Sequence, residues 1–156
     1  MPENAALRNH VIELLKGGHA HLTFDQAVEN FPIDRIGVRP NHLPHSAWEL
    51  VEHIRIAQND ILQFSRSADH VSPKWPDGYW PPSPAPDRES KWNDALRSIR
   101  EDLAAFCDLV QDPEVDLLLP FPWGDGQTLL REALMLADHN SYHLGQVVLV
   151  RRSLLG

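Results

Sequence analysis

The chain has one cysteine, Cys107, so no internal disulfide can staple it and the fold has to rest on its core. Runs of about 18 apolar residues are missing, and the opening stretch MPENAALRNHVIELLKGG carries polar side chains throughout. Neither a membrane-spanning helix nor a signal-peptide core is expected. Basic residues are scarce, with 14 Lys and Arg against 22 Asp and Glu and a net charge of −8. That balance offers no cationic footprint for a phosphate backbone, and nucleic acid is excluded as an expected partner. A cytoplasmic protein without disulfides is the expectation. Strand signals are equally sparse: only residues 115–119 come near the β-branched, turn-bounded pattern a strand needs.

Helical periodicity fills the space these absences leave. At 156 residues the chain is expected to form one domain over 1–156, long enough to bury about 68–70% of its unfolded surface. Leu7, Val11, Leu14 and Leu15 mark a first helix over about 4–16. After Gly17-Gly18 the helix bends or restarts, because Thr23 with Gln26 reads as a capping box before Phe24, Ala27, Val28 and Phe31. Ser46 with Glu49 is a second capping box, opening a long helix with Leu50, Ile54, Ala57, Ile61 and Phe64 on one side and ending near Ser67. The proline-dense stretch SPKWPDGYWPPSPAPD then fixes extended backbone. Asp87 is placed to cap a third helix carrying Trp92, Leu96, Ile99, Leu103, Phe106 and Val110, with Pro113 past its end. A fourth begins near Gln127 or Thr128 and runs almost to Leu155. The expected fold is all-α, a four-helix bundle whose long connections include at least one crossover.

Nine histidines stand out. Two of them, His139 and His143, lie in LMLADHNSYHLGQVVLV on the stripe that runs through Leu129, Ala133, Leu136, Val147 and Val150. Imidazoles at i and i+4 point their nitrogens to one side of a helix, where one metal ion can accept both. His53, on the edge of the second long helix's stripe, is the candidate third ligand. Three clustered imidazoles without an ion leave lone pairs facing one another, a conflict that a metal resolves. The alternative is that the three are structural, hydrogen-bonded core histidines. His10, His42, His45 and His70 are expected at the surface. His21 either lines the site or is a surface or structural residue.

The segments PHSAWELVEHIRIAQNDIL and ADHNSYHLGQVVLVRR together resemble the DinB/YfiT-like family, in which a tryptophan-bearing capping box leads to one histidine and a histidine pair precedes Gly-Gln on the last helix. The resemblance covers nearly the whole chain. It implies a DinB-like four-helix bundle with a crossover, a homodimer, and a three-histidine metal site at His53, His139 and His143. It further implies either metal-dependent chemistry, with a low-molecular-weight thiol as a cofactor in some members, or a non-enzymatic metal-binding, damage-inducible role.

Several residues narrow the chemistry. A helical metalloprotease needs glutamate directly after its first histidine, and Asn140 stands there instead, which disfavours peptidase activity. Glu52 is turned about 100° from His53 on an ideal helix; Glu49 is committed to its cap, and Asp60 lies nearer the His53 face without being a strong base. Gln146 orients a ligand or makes an interhelical hydrogen bond. Tyr79 and Trp80 are candidates to cover the site mouth, Trp48, Trp92 and Trp123 to pack, and Cys107 to be a small core residue. Three nitrogen ligands suit a divalent transition metal, zinc or nickel first, and the substrate would be a small molecule of unspecified kind.

Overall fold

The computed structural model describes the backbone of residues 2–156 and the side chains from residue 4 onward. Its helices are α1 (Pro2–Lys16), the short α2 (Phe24–Val28), α3 (Ala47–Arg66), α4 (Ser90–Gln111) and α5 (Leu129–Leu155). The first helix stops at Lys16 because Gly17 and Gly18 take φ of +68° and +89°, a left-handed turn that side chains disfavour. The chain then restarts at α2, where Thr23 and Gln26 form the capping box in both directions. Ser46 and Glu49 do the same for α3: Ser46 N–H donates to Glu49 Oε2 at 2.8 Å, and Glu49 N–H to Ser46 Oγ at 3.2 Å. Arg39 pairs with the same carboxylate and holds it below the usual glutamate range against the opposing effect of burial. Thr128 Oγ1 caps α5 by accepting from the Arg131 N–H at 3.1 Å.

One expectation is corrected here. The third long helix begins at Ser90 rather than beside Asp87, whose carboxylate is taken up by Lys91 Nζ at 2.9 Å instead of by backbone N–H groups. Residues 115–119, the stretch nearest to a strand pattern, form no strand, as the all-α expectation requires. Leu117 is buried while Leu118 and Leu119 stay exposed, and the nearest bridge is an isolated one between Pro120 and Thr128.

Packing sets the topology. α3 packs on both α4 and α5, and α1 packs on the same two, so α1 faces α3 across one diagonal of a four-helix bundle. Contacts along the bundle give the directions. His53 of α3 meets His143 while Gln58 meets Asn140, so α3 and α5 are antiparallel. Gln58 reaches Ile99 and the next residue, Asn59, reaches Asp102, while the early turns of α3 share a cluster with those of α4; these two run parallel. Residues 67–89 therefore travel back along the bundle, the expected crossover. Buried Arg8 ties α1 to the end of α4, donating to the carbonyls of Val110 and Val115, both at 2.6 Å.

The apolar interior is split in two. One cluster joins Leu50 and Ile54 to Trp92, Ile99, Leu144 and Val147. The other joins Ile61 and Leu62 to Phe106, Val110, Leu129 and Leu136. Each fully buried large side chain contributes about 1.5–3 kcal/mol. Between the clusters lies a polar waist, where Gln58, fully buried, donates to the Ile99 carbonyl at 2.6 Å and accepts from Asn140 Nδ2 at 2.9 Å. Among the described residues no helix is long and apolar enough to cross a membrane.

Candidate metal centre

The three predicted histidines meet on one side of this waist. His53 comes from the second turn of α3, His139 and His143 from the middle of α5, and the antiparallel packing brings them level. His53 Nε2 lies 3.1 Å from His143 Nε2 and 3.0 Å from His139 Nε2. Each ring offers one nitrogen, and all three nitrogens fall within 4.8 Å of one another. His53 and His143 are buried and His139 is half-buried.

The outer nitrogens decide what the inner ones can do. His53 Nδ1 lies 2.8 Å from the backbone carbonyl of Tyr79, and a carbonyl only accepts, so Nδ1 carries the proton and Nε2 is left with a bare lone pair. His143 Nδ1 likewise donates to Gln146 Oε1 at 2.7 Å. His139 Nδ1 has only a long approach, 3.4 Å, to Asn140 Oδ1. A proton on His139 Nε2 would satisfy its contact with His53 but leave the His53–His143 contact as two facing lone pairs. Extra protons are resisted: burial pushes the pKa of all three histidines down, His143 to about 4, with His139 and His53 lowering His143 further and the Gln146 hydrogen bond opposing. The donor set fits a metal. Nitrogens about 2.0–2.1 Å from a shared ion stand roughly 3 Å apart, and His53 Nε2 stands at that spacing from both of the others.

The proline-rich crossover roofs the site. Trp80 stacks on His53 at 4.0 Å between centroids, and His45 stacks on the other face of Trp80 at 4.3 Å. Tyr79 gives its carbonyl to His53 and its hydroxyl to Asp60 Oδ2 at 2.6 Å, while His70 Nε2 donates to Asp60 Oδ1 at 2.7 Å. The Tyr79 hydroxyl is pushed up to about 12 by burial and by the Asp60 carboxylate, so it stays a donor. A cavity of about 390 Å³ opens directly onto the three imidazoles beneath this roof.

Tyr79 and Trp80 thus cover the site as expected. His45 and His70 do not stay at the surface as expected, because ring stacking on Trp80 and the Asp60 carboxylate draw them to half-buried positions. The aromatic residues inside WPDGYW were the signal for both, since aromatics in a loop pack on something. His10 and His42 are exposed. His21 is also exposed, 3.3 Å from Ser141 Oγ and lining a different cavity from the one that holds His53, so it is not part of this site. Glu52 is paired with Arg55 at 2.7 Å. Trp48 and Trp92 are buried, as is Cys107, whose thiol burial pushes up. Trp123 packs on Phe121 at 5.3 Å but remains 39% exposed.

Fold and site together define a helical bundle with a buried group of three histidines able to hold a metal ion. The family model of the DinB superfamily matches residues 5–147, and the chain belongs to that superfamily. No curated protein and no solved structure matches the chain.

Proposed function

We propose that His53, His139 and His143 hold one divalent transition-metal ion, zinc or nickel first, and that the bundle is a metal-dependent enzyme acting on a small molecule in the adjoining cavity. The observation that carries this reading is the convergence of three imidazoles, with His53 Nε2 at 3.0–3.1 Å from the other two Nε2 atoms and the Nδ1 protons of His53 and His143 committed elsewhere. When bound, the ion supplies a Lewis acid that polarises a substrate or activates a water or a thiol. The chain's own part is orientation. The Tyr79 carbonyl and Gln146 fix the tautomers of two ligands, Trp80 pins the His53 ring plane, and the roof limits water at the rings. A reacting group has an approach through the cavity, which supports hydrolysis or thiol-cofactor-dependent transfer over a purely structural ion.

The test is metal content of the purified full chain. Near one equivalent is expected for wild type, His10→Ala and His42→Ala, and a loss to well below half for His53→Ala, His139→Ala and His143→Ala. Full occupancy in His53→Ala would overturn the reading, since that residue reaches the α5 pair only through the fold.

A further inference from the structure

Resting on that reading of the site, we propose that the cavity takes an uncharged, flat apolar molecule, an aromatic ring or similar unsaturated body, with one metal-seeking group at its end. The cavity is a groove between α3 and α5. The three histidines close one end, and Asp60 lies at the other, seven residues along α3 from His53 or about 10 Å. Ala57 lines it between these ends, Ile61 and Met135 line it at the Asp60 end, and Trp75, Tyr79 and Trp80 belong to the roof segment.

Charge decides what fits. No lysine or arginine lines the groove. Its one carboxylate, Asp60, already accepts from Tyr79 and from His70, which weakens its pull on a ligand's donor, and it repels a ligand's anion. A carboxylate or phosphate carried inside would lose hydration with no cation to replace it, other than at the metal end. A thiol cofactor bearing carboxylates would have to leave them outside the groove.

Shape narrows the class further. Both faces of Trp80 are already covered, by His53 and His45, so it offers only its edge, the electropositive part of an aromatic ring. The partner such an edge favours is the face of another π system. Met135 adds a polarisable thioether to the same lining, which also suits aromatic rings. Trp75, tilted on Tyr79 at 5.6 Å and 73% exposed, has indole surface free at the mouth to lie against the ligand's distal end.

Two sets of probes separate the groove from the metal. On the metal-loaded full chain, acetohydroxamate, benzohydroxamate and 4-carboxybenzohydroxamate share one metal-binding group and differ in the body; titration calorimetry should give benzohydroxamate at least tenfold tighter than either. Trp75→Ala should narrow the gap between benzohydroxamate and acetohydroxamate and leave acetohydroxamate unchanged. On metal-free protein, quenching of tryptophan emission should show 2-naphthol binding at least tenfold more tightly than 2-naphthoate. If no metal is taken up, the metal reading fails, while a retained preference for naphthol upholds the groove. Equal or tighter binding of the carboxylated probe in either set overturns the proposal.

Discussion

Gln146 gives the sharpest single-residue perturbation of the site that leaves every ligand in place. Its Oε1 accepts from His143 Nδ1 at 2.7 Å, one turn further along α5, while its neighbours Leu43, Pro44 and Leu149 would receive an apolar side chain without strain. Gln146→Leu leaves the His143 Nδ1–H without a partner. In the metal-free protein the ring can rotate to find another; once Nε2 is ligated it cannot, so the penalty falls on the metal-bound state. A neutral hydrogen bond contributes about 0.5–1.5 kcal/mol net, and an unpaired buried donor costs about 1–3 kcal/mol. Loss of an outer partner of a ligating histidine typically weakens metal binding 10–100-fold. That factor corresponds to about 1.4–2.7 kcal/mol, inside the range the hydrogen bond allows. Competition against a chromophoric chelator near neutral pH should show this weakening for Gln146→Leu, while Gln146→Glu, which keeps the acceptor, should stay within about threefold of wild type or bind more tightly. Thermal melts of the metal-free variants control for folding. Affinity of Gln146→Leu within threefold of wild type would refute the orienting role and return Gln146 to a packing residue.

Two further outcomes follow from the same interior. The folded-state pKa values of His53, His139 and His143 lie below the ordinary histidine value near 6.5, His143 at about 4, so the unfolded chain binds more protons than the folded one in that interval. Stability of the metal-free protein is therefore fully expressed above about pH 6.5 and falls as the pH drops towards 4; urea midpoints at pH 7.5, 6 and 5 should decline in that order, and His143→Leu should flatten the decline, whereas a midpoint that rises on acidification would contradict it. Arg8→Met keeps the buried stem but removes two guanidinium donors from the Val110 and Val115 carbonyls; at about 1.5–3 kcal/mol for each hydrogen bond from a charged donor, less what water recovers, a loss of about 2–4 kcal/mol is expected in urea unfolding, with metal affinity unchanged. A loss below about 0.5 kcal/mol would mean that these carbonyls find water just as well.

What could be read from the sequence depended on the range of the interaction. Both capping boxes are four-residue signals and formed as expected, and the stripe positions of His53, His139 and His143 follow from a period that any helix imposes on its buried face. The helix directions did not follow, because nothing local in α3 or α4 says that residues 67–89 return along the whole bundle and leave the two helices parallel. Tyr79 and Trp80 in that segment were legible as a cover, but the partners they take were not. His45, Asp60, His70, Tyr79 and Trp80 are brought together by contacts that cross from loop to helix, and a proline-rich segment has no period from which to infer which side chain turns inward. The three imidazoles sit on rigid, periodic elements, where their spacing betrays them. The groups that roof the space in front of those imidazoles sit on the crossover, where the backbone can change direction between neighbouring residues. For this chain the division has a consequence. Substitutions along α3 and α5 should change whether an ion is held, whereas substitutions in residues 70–80 should change which molecule reaches it, because only the second set forms the roof without supplying a metal-facing nitrogen.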